Sequence, residues 1–534
     1  MTRSRRLTYS LLGGALSIAA CRPAATVTPQ PVTPPVAKVA VKPMDLTPRI
    51  VPQPASLTRG SGAPFVVTAT TGIVVDGAGQ VQPIGETLAM LLRKSTSFPV
   101  LVSQSSGGTA ASGTIRLRLA NDRQSLGEEG YELTVTSDSV VLVAYRPAGL
   151  FHGVQTIRQL LPAAIESEIG LERDWAIPAL TIADQPRFPW RGGMIDVGRH
   201  FLTVREVQQF IDLLALYKMN VLHIHLTDDQ GWRIQINSRP KLTAVGSLSQ
   251  MGGGPGGFFT QQDYTDIVRY AQARYITVVP EIEMPGHSWA ALTTYPELTC
   301  KPRPPDPYTG PDLGWSALCP DKEVTYAYID DVIKEVAALT PGPYLHIGGD
   351  EVASLSDSQY VKFIQRAQDI VNKYGKTMIG WEEITKAKLK PATIAQMWKS
   401  DSVTAALSYG SKLILSPATH AYLDMQYTPE TELGLHWSGY VEVRDAYDWN
   451  PLTFATGLTE SNVLGIEAPI WGETVRSIGA VNYMSVPRLP ALAEVGWTPQ
   501  AARDWEGFRS RIAAHAPRWR YLGVNYYPSP QIPW

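Results

Sequence analysis

The stretch of sequence that decides the fold is MIDVGRHFLTVREVQQFIDLLALYKMNVLHIHL, residues 194–226. A short apolar run opens it and another closes it, as buried strands do. Between them, apolar residues return once per helical turn and fall on one face, at Val204, Val207, Ile211 and Leu214. Thr203 and Glu206 have the spacing of a capping box, which begins a helix. The stretch therefore predicts a strand, a helix and a second, parallel strand.

This pattern of strand and helix is repeated along the chain after Pro186. Eight short apolar runs are the candidate strands, and they lie at 194–197, 221–226, 276–282, 344–347, 377–379, 393–397, 412–415 and 463–467. Parallel strands need a crossover connection, which the helical stretches between the runs supply. Eight such units predict an α/β protein with a (β/α)8 TIM barrel over residues 186–534.

Residues 49–185 have a different pattern, in which strand-like runs are interrupted by helical stretches. The predicted strands lie at 65–68, 114–119, 131–135 and 140–144, and the predicted helices lie near 86–94 and 153–161. Strands and helices mixed in this way, without regular alternation, indicate a small α+β domain. We therefore expect such a domain to precede the barrel.

The first residues have the features of an export signal, which we assign to residues 1–20. Three arginines, at positions 3, 5 and 6, precede an apolar run, and export signals have this order. The run ends in IAAC (18–21), which resembles the lipobox of bacterial lipoproteins, where the Cys is acylated; ordinary cleavage near Ala20 is the alternative. Residues 21–48 are rich in Pro, Thr, Val and Ala and predict an extended tether. We expect a cell-envelope lipoprotein, periplasmic or on the outer surface, or a secreted protein.

Charge and cysteine content exclude some classes of partner. A formal net charge of −2 gives no basic excess for binding nucleic acid, so nucleic acid is not expected as a partner. Membrane contact is expected only through an N-terminal lipid on Cys21. In an exported protein the remaining Cys300 and Cys319 predict a disulfide, and two free thiols are the alternative. No cysteine pattern resembles a metal site, and we expect neither a metal ion nor a cofactor.

Polar and aromatic residues follow all eight predicted barrel strands. In barrels of this type the reacting groups lie where the strands run into the following loops. In strand order these residues are Arg199; Asp228 and Asp229; Glu281, Glu283 and His287; Asp350 and Glu351; Trp381; Trp398; Tyr422, Asp424 and Trp437; and Trp471 and Glu473. A single residue of this kind is usually structural, but carboxylates and indoles at all these strand ends predict an active site.

The adjacent residues Asp350 and Glu351 indicate a particular glycosidase mechanism. Most glycoside hydrolases use two separated carboxyl groups. Neighbours at a strand end point in different directions, so Glu351 can protonate the leaving oxygen while Asp350 addresses another part of the sugar. This suits a 2-acetamido sugar whose own carbonyl oxygen attacks C1 to give an oxazolinium ion. Such intramolecular attack has an effective molarity of about 10⁵–10⁸ M.

This mechanism needs groups that hold the acetamide. Three indoles, Trp381, Trp398 and Trp471, can enclose its methyl group, with Asp350 as the anion for its N–H and Tyr422 as the donor to its oxygen. Arg199 can bind two sugar hydroxyls with its rigid fork, and a barrel-wall ion pair is the alternative. Glu351 must stay protonated near neutral pH, and we expect burial and the Asp350 charge to raise its pKa. His287 and Asp228 could form a relay that tunes Glu351, or His287 could be structural.

Four motifs make the chain resemble the family 20 glycoside hydrolases, the β-N-acetylhexosaminidases, especially their bacterial two-domain form. They are DVGRHF at 196–201, HIHLTDDQGW at 223–232, MPGH at 284–287 and HIGGDE at 346–351. The similarity runs from RIVPQP at 49–54 to Trp534. The resemblance implies hydrolysis of terminal β-linked N-acetylglucosamine or N-acetylgalactosamine from an oligosaccharide or glycoconjugate, by substrate-assisted retaining catalysis.

The resemblance also implies a role for each candidate residue. Asp350 orients the acetamide, Glu351 is the acid and base, and Arg199 binds ring hydroxyls. Asp228 and His287 are the relay. Trp381, Trp398 and Trp471 match residues that enclose the acetamide, and Tyr422 matches the residue that bonds its oxygen. Asp424 and Glu473 match residues that hold the outer hydroxyls of the sugar. Trp437 matches a residue that lines the leaving-group side. Variation at 282–283 and 302–311 is expected to alter the rim of the cleft.

Two other functions remain open at this stage. His223 and His225 form an H-x-H pair on a predicted barrel strand, as in metal-dependent amidohydrolases, with His287, His346 and Asp350 available downstream. The pair lies within the strand, however, and Glu351 would have no task. A non-catalytic sugar-binding lipoprotein is the second alternative. It would require a damaged Asp-Glu pair or cage, and neither is seen.

Overall fold

The computed structural model describes residues 45–105, 107–300 and 306–534. The predicted export signal, Cys21 and the predicted tether as far as residue 44 lie outside the described residues. Among the described residues, no helix combines the length and the apolar character that crossing a membrane requires.

Within its described residues, the N-terminal part contains nine strands and two longer helices. The strands are β1 Ser56–Arg59, β2 Phe65–Val67, β3 Gly72–Asp76, β4 Val102–Gln104, β5 Thr114–Leu119, β6 Tyr131–Val135, β7 Ser139–Ala144, β8 Trp175–Ile177 and β9 Leu180–Asp184. The helices are α1 Gln82–Thr96 and α2 Pro147–Leu160. Seven strands form one sheet in the order β1-β9-β6-β7-β5-β3-β4, and β2 pairs with β8. The predicted small domain of mixed strands and helices is confirmed.

Eight parallel strands close into the predicted barrel, in chain order around the ring. They are β10 Trp190–Asp196, β11 Val221–His225, β14 Thr277–Glu281, β15 Tyr344–His346, β16 Thr377–Trp381, β17 Ile394–Met397, β18 Lys412–Leu415 and β19 Val463–Ile470. Two short strands, β12 Thr227–Asp228 and β13 Gly231–Trp232, form a hairpin after β11. All eight predicted strands are present. The largest difference is at β10, which begins four residues early because Gly192 and Gly193 hide its pattern.

The remaining helices lie after β10; those up to Tyr447 lie between barrel strands, and those from Ile478 onwards follow β19. They are α3 Val204–Leu216, α4 Lys241–Ala244, α5 Gln261–Gln272, α6 Trp289–Thr294, α7 Glu323–Leu339, α8 Asp357–Lys373, α9 Val403–Ser408, α10 Val443–Tyr447, α11 Ile478–Ser485, α12 Arg488–Trp497, α13 Trp505–Ala513 and α14 Ala516–Leu522. The predicted capping box starts α3, since the backbone N–H of Thr203 donates to Glu206 and that of Glu206 donates to the Thr203 hydroxyl. Val207, Ile211 and Leu214 are buried as the helical period predicts.

The predicted disulfide is present between Cys300 and Cys319, whose Cα atoms are 5.0 Å apart. It closes a loop that follows β14, and residues 306–318 of this loop are described. Leu313 in this loop is 41% exposed and reaches the end of the barrel where the predicted site residues lie. The disulfide therefore joins the two ends of a segment that contributes to the site.

Candidate active site

One pocket at the carboxyl ends of the barrel strands brings together most of the predicted site residues. It is lined by Arg199, Leu313, Asp350, Glu351, Trp398, Tyr422, Asp424, Trp437, Trp471 and Glu473. Nine of these ten residues are predicted from the sequence; Leu313 is the exception. Three other predicted residues, Asp228, His287 and Trp381, lie behind this lining. The pocket forms because parallel strands place their following loops at the same end of the barrel.

Asp350 and Glu351 lie on a tight turn after β15 rather than at the strand end. Gly348 has a φ of +65°, Gly349 of +100° and Glu351 of +52°, so three of four consecutive residues adopt left-handed backbone conformations. We call residues 348–351, which carry the pair predicted to be catalytic, the catalytic turn. The two carboxyl groups do not diverge as a strand would make them, because each has one oxygen within 4 Å of the same imidazole nitrogen, Nε2 of His287.

Burial distinguishes the two carboxyl groups, and Glu351 is the more exposed of the two. The side chain of Glu351 is 37% exposed, whereas that of Asp350 is only 14% exposed. Burial raises the pKa of Asp350 to about 8; the charge of His287 opposes this, while those of Glu383 and Glu351 add to it. The expectation that Glu351 is buried is therefore wrong for the free protein, since the open mouth of the pocket leaves it in contact with solvent.

Asp228 connects the pocket to the interior of the barrel. Its Oδ1 accepts a hydrogen bond from Nδ1 of His287 at 3.4 Å, and its Oδ2 lies 2.9 Å from Nε2 of His225 and 3.0 Å from the guanidinium of Arg199. Burial acts to raise the pKa of Asp228, but the charges of Arg199 and His287 hold it well below the usual value. Asp228 is therefore an anion that orients His287 towards the catalytic turn.

His287 is a cation at neutral pH. Burial lowers its pKa, but the charge of Asp228 and the hydrogen bond to it raise the value to about 10, and the charge of Asp350 acts in the same direction. His287 contacts Asp228 through Nδ1 and approaches Glu351 through Nε2, which are the contacts that the predicted relay requires. The distance of 3.7 Å from His287 Nε2 to Glu351 Oε2 is a charge contact rather than a hydrogen bond.

Arg199 is held by an ion-pair network and also lines the pocket, so both sequence interpretations describe it in part. Its guanidinium lies 2.9 Å from Asp196 and 3.0 Å from Asp228. The Arg199 Nε atom lies 3.5 Å from Glu473 and makes no hydrogen bond among the described residues. Three buried carboxyl oxygens of the lining also lack a hydrogen-bond partner in the described part of the chain, and these are Asp350 Oδ1, Asp424 Oδ2 and Glu473 Oε2. Buried polar atoms of this kind require a polar ligand or water.

Aromatic rings form one wall and the floor of the pocket. The ring of Trp471 lies 5.6 Å from that of Trp381 and 6.3 Å from that of Tyr422. Trp437 packs edge-on against Trp398 at 5.8 Å and is 54% exposed at the mouth, whereas the other rings are buried. Trp381 lies below the lining and donates its indole N–H to Glu281 at 3.0 Å. The four buried rings are thus held by their neighbours, and only Trp437 among these five is exposed.

The chain matches known proteins over nearly all of its described length. Residues 188–500 match the model of the glycosyl hydrolase family 20 catalytic domain, and residues 47–185 match that of domain 2 of the same family. The chain belongs to glycosyl hydrolase family 20. A beta-N-acetylhexosaminidase of Cellulomonas fimi is 43% identical over 489 residues, which are 91% of this chain and 97% of that protein.

Solved structures of family 20 proteins have the same fold. The beta-N-acetylhexosaminidase of Streptomyces coelicolor A3(2) has a TM-score of 0.88 at 48% identity, covering 91% of this chain and 99% of that one. A mutant beta-hexosaminidase of Streptomyces plicatus, solved in complex with its product GlcNAc, has a TM-score of 0.88 at 47% identity, covering 92% and 99%. The predicted family and fold class are therefore confirmed.

Two residues at this family 20 site, Glu383 and Leu313, were not predicted from the sequence, and the role of a third, Glu281, was not predicted either. Glu383 accepts a hydrogen bond from the indole N–H of Trp398 at 3.3 Å, and its position two residues after β16 was the signal that could have found it. Glu281 connects Trp381 to the histidines of β11, although only its place at a strand end was predicted. Leu313 lies in a loop without periodic pattern, and nothing in the sequence marks it.

The expectation that residues 282–283 alter the rim of the family 20 cleft is wrong. Ile282 and Glu283 are 1% and 3% exposed, and the Ile282 N–H donates to the His346 carbonyl at 3.0 Å. The segment continues the parallel pairing beyond β14, so its side chains are covered by neighbouring strands. Of the other segment, residues 302–305 lie outside the described part of the chain, and the pocket residue Leu313 lies two positions after residue 311.

The two histidines that suggested a metal-dependent amidohydrolase contact carboxyl groups inside the barrel. Nδ1 of His223 lies 2.8 Å from Glu467, and His225 contacts Glu281 and Asp228 through its two ring nitrogens. His223, Glu281 and His346 bring possible ligand atoms within 4.8 Å of one another, but all three are buried below the pocket lining. Membership of family 20 decides against the amidohydrolase alternative.

Proposed function

We propose that this chain is a β-N-acetylhexosaminidase, which hydrolyses terminal non-reducing β-linked N-acetylglucosamine and N-acetylgalactosamine. One observation carries the proposal: three buried carboxyl oxygens without partners among the described residues belong to a pocket that is also walled by indole rings. A sugar ring offers hydroxyl groups to such oxygens and an apolar C–H face to such rings. An acetamide adds one N–H donor and a methyl group. The names of the family 20 relatives support the same substrate class.

The proposed reaction has two steps at the anomeric carbon, C1. In the first, the acetamide oxygen attacks C1, the bond from C1 to the leaving oxygen breaks, and Glu351 gives its proton to that oxygen. The product is a cyclic oxazolinium ion. In the second, water attacks C1, the bond to the acetamide oxygen breaks, and the Glu351 carboxylate takes a proton from the water. Two inversions at C1 retain the anomeric configuration.

Asp350 and Tyr422 are the proposed partners of the acetamide. The N–H becomes more acidic as positive charge develops on the oxazolinium ring, and an Asp350 carboxylate stabilises it there. Burial raises the pKa of Tyr422 well above its usual value, with the charges of Asp350 and Asp424 in the same direction, so its hydroxyl remains a donor. Positioning of this kind contributes up to about 7–11 kcal/mol to intramolecular attack, more than general acid catalysis usually does.

His287 is proposed to stabilise the catalytic pair by charge. When Glu351 has given up its proton, its carboxylate lies 3.7 Å from a cationic imidazole. Asp228 holds that imidazole in orientation and keeps it charged. The relay therefore lowers the cost of the charged form of Glu351 between the two steps, and no metal ion takes part in any step.

The test is a rate panel on the purified protein. Aryl β-N-acetylglucosaminide, aryl β-N-acetylgalactosaminide, chitobiose and a plain aryl β-glucoside are compared, with and without exhaustive chelation. Turnover of the first three, none of the glucoside and no effect of the chelator is the expected result. A non-catalytic sugar-binding protein would release no aryl group, and a metal-dependent hydrolase would lose its activity to the chelator. Glu351→Gln, assayed on chitobiose, whose leaving group needs the proton, is the control for contaminating activity.

We also propose that the protein is exported and anchored by a lipid on Cys21. The sequence IAAC at 18–21 after a charged and then apolar segment supports this proposal. In a bacterial host, the wild-type chain should incorporate labelled palmitate and fractionate with membranes. Cys21→Ser should lose both the label and the membrane association. A wild-type chain that is released without label would contradict the anchor but leave export standing.

A further inference from the structure

Gly349, the residue before Asp350 in the catalytic turn, is held through both of its peptide groups. Its N–H donates to Oε1 of Glu283 at 2.8 Å. Its carbonyl oxygen accepts a hydrogen bond from the hydroxyl of Tyr360 at 2.5 Å. Glu283 follows β14 and Tyr360 lies in α8, so two elements distant in sequence meet at this one residue. We call Glu283 and Tyr360 the Gly349 clamp.

The carboxyl group of Glu283 is built into the space beneath the turn. The residue is 3% exposed, and its own backbone N–H donates to the hydroxyl of Thr227 at 2.9 Å. A Cβ atom on Gly348 would come within 1.7 Å of Glu283 Oε2, so the carboxyl group occupies the place that any larger residue would need. Glu283 therefore fixes the turn by a hydrogen bond and by direct packing.

The turn needs such support because its backbone is strained. Glu351 has a φ of +52°, a conformation that residues with a side chain adopt at a cost of about 1–3 kcal/mol. A backbone of this kind persists only where its surroundings hold it. On the other side of the turn, Tyr360 is 3% exposed, and a Cβ atom on Gly349 would lie 3.2 Å from its hydroxyl. The clamp thus encloses the residue that sets the direction of Asp350 and Glu351.

We propose that Glu283 and Tyr360 are positioning residues for the catalytic pair, and that Glu283 acts as an uncharged carboxylic acid. The inference rests on the proposed function, because that function gives Asp350 and Glu351 their tasks. Neither clamp residue lines the pocket, so neither is expected to touch the sugar. Their effect on the reaction passes through the position of the turn.

The charges around Glu283 support its uncharged state. Burial raises its pKa well above the usual range, and the carboxylates of Asp350, Glu281 and Asp228 act in the same direction, against the hydrogen bond from Gly349. His225 is the nearby imidazole, and it is already shared by Glu281 and Asp228. Oε2 of Glu283 has no hydrogen-bond partner among the described residues, and an unpaired buried charge there would be costly.

The test compares an uncharged side chain of the same shape as Glu283 with variants that lack the hydrogen-bonding group. Glu283→Gln keeps the acceptor for Gly349 and should keep kcat within about threefold of the wild type on chitobiose. Glu283→Ala and Tyr360→Phe should lower kcat about 10- to 100-fold with KM changed less than threefold, since a misplacement of about 1 Å can cost that much. Glu442→Gln and Glu442→Ala are matched controls, because Glu442 is also buried but caps α10 outside the pocket.

Each outcome decides one part of the inference. If Glu283→Gln lowers kcat as much as Glu283→Ala does, the proposal that Glu283 is uncharged is wrong. If Glu283→Ala and Tyr360→Phe both keep the wild-type kcat, the positioning role is wrong. Should Glu283→Ala fail to fold, Glu283→Gln and Tyr360→Phe still decide, with circular dichroism and the shape of the kcat against pH profile as readouts. A wild-type protein without turnover would instead contradict the proposed function.

Discussion

Nε2 of His287 lies 3.7 Å from Oε2 of Glu351, the proposed proton donor. The same nitrogen lies 3.9 Å from Oδ2 of Asp350, so one imidazole contacts both neighbouring carboxyl groups. Because His287 is a cation at neutral pH, it stabilises whichever of the two is charged. A single positive charge can therefore serve the pair at both stages: it favours ionisation of Asp350 as the acetamide N–H becomes acidic, and it stabilises the Glu351 carboxylate after the proton transfer.

Removing the proton of Glu351 should affect substrates according to their leaving group. Glu351→Gln is expected to lower kcat on chitobiose about 10²- to 10⁴-fold, because a sugar alkoxide cannot leave without protonation. A dinitrophenyl N-acetylglucosaminide, whose leaving group needs no proton, should lose less than about tenfold. The ratio of the two losses is the measurement. Equal losses would show that Glu351 does not donate the proton.

Asp350 should decide whether the acetamide takes part. Asp350→Ala is expected to lower kcat on an aryl N-acetylglucosaminide by about 10²- to 10³-fold, since the developing charge on the N–H loses its partner. Activity on the matching plain glucoside should stay at its basal level, so the preference for the acetamide collapses. The two substrates are each other's control. An unchanged preference in the variant would remove the role assigned to Asp350.

The raised pKa of Asp350 has a consequence for stability. Its value of about 8 exceeds the ordinary 3.8, so the folded protein favours the uncharged carboxyl and loses stability as the pH rises from about 4 towards 8. Asp350→Asn should therefore raise Tm by about 1–4 °C at pH 8 and by less at pH 4. Differential scanning fluorimetry at the two pH values measures this. An Asn variant that is less stable at pH 8 would contradict the burial argument.

His287 should stabilise the fold in the opposite pH direction. Its pKa of about 10 lies above the unfolded value of about 6.5, so its contribution is full below pH 6.5 and disappears as the pH rises through 10. His287→Gln is expected to lower Tm by about 3–6 °C at pH 6, and the difference from the wild type should shrink towards pH 10. A difference that is constant with pH, or grows with it, would mean that His287 is neutral.

Trp437 should act on the leaving group rather than on the terminal sugar. It is 54% exposed at the mouth of the pocket, so a sugar ring of the leaving group stacked on it contributes only about 0.5–1.5 kcal/mol to binding. Trp437→Ala should raise KM for chitobiose about 2- to 12-fold and leave KM for a methyl N-acetylglucosaminide unchanged. Tyr440→Ala, an exposed aromatic of the same loop, is the matched control. Equal KM changes on both substrates would place Trp437 on the terminal sugar.

Much of the fold was accessible from the sequence because its signals are local. The capping box of Thr203 and Glu206 and the eight apolar runs each depend on a few neighbouring residues, and all are present in the structure. In the N-terminal part, strands such as β1 and β4 were not predicted, because three or four residues with mostly exposed side chains show no period. The disulfide followed from the cysteine count in a chain that is predicted to be exported.

The burial of individual site residues was not accessible in the same way. Glu283 was expected at the rim and instead lies beneath the catalytic turn, where Gly349 and Thr227 bind it. Glu351 was expected to be buried and is the more exposed member of the pair. Burial depends on side chains supplied by other strands, and no local window of sequence contains them.

The sequence by itself determined the eight strand and helix units, the order of the polar residues at their ends and the family, because periodicity and motifs are properties of neighbouring residues. Only the tertiary structure decided which carboxyl group is shielded from water, that one nitrogen of His287 contacts both Asp350 and Glu351, and that Glu283 and Tyr360 hold Gly349. Electrostatic energies depend on distances of a few ångströms and on local access of solvent, and the closing of the barrel sets both.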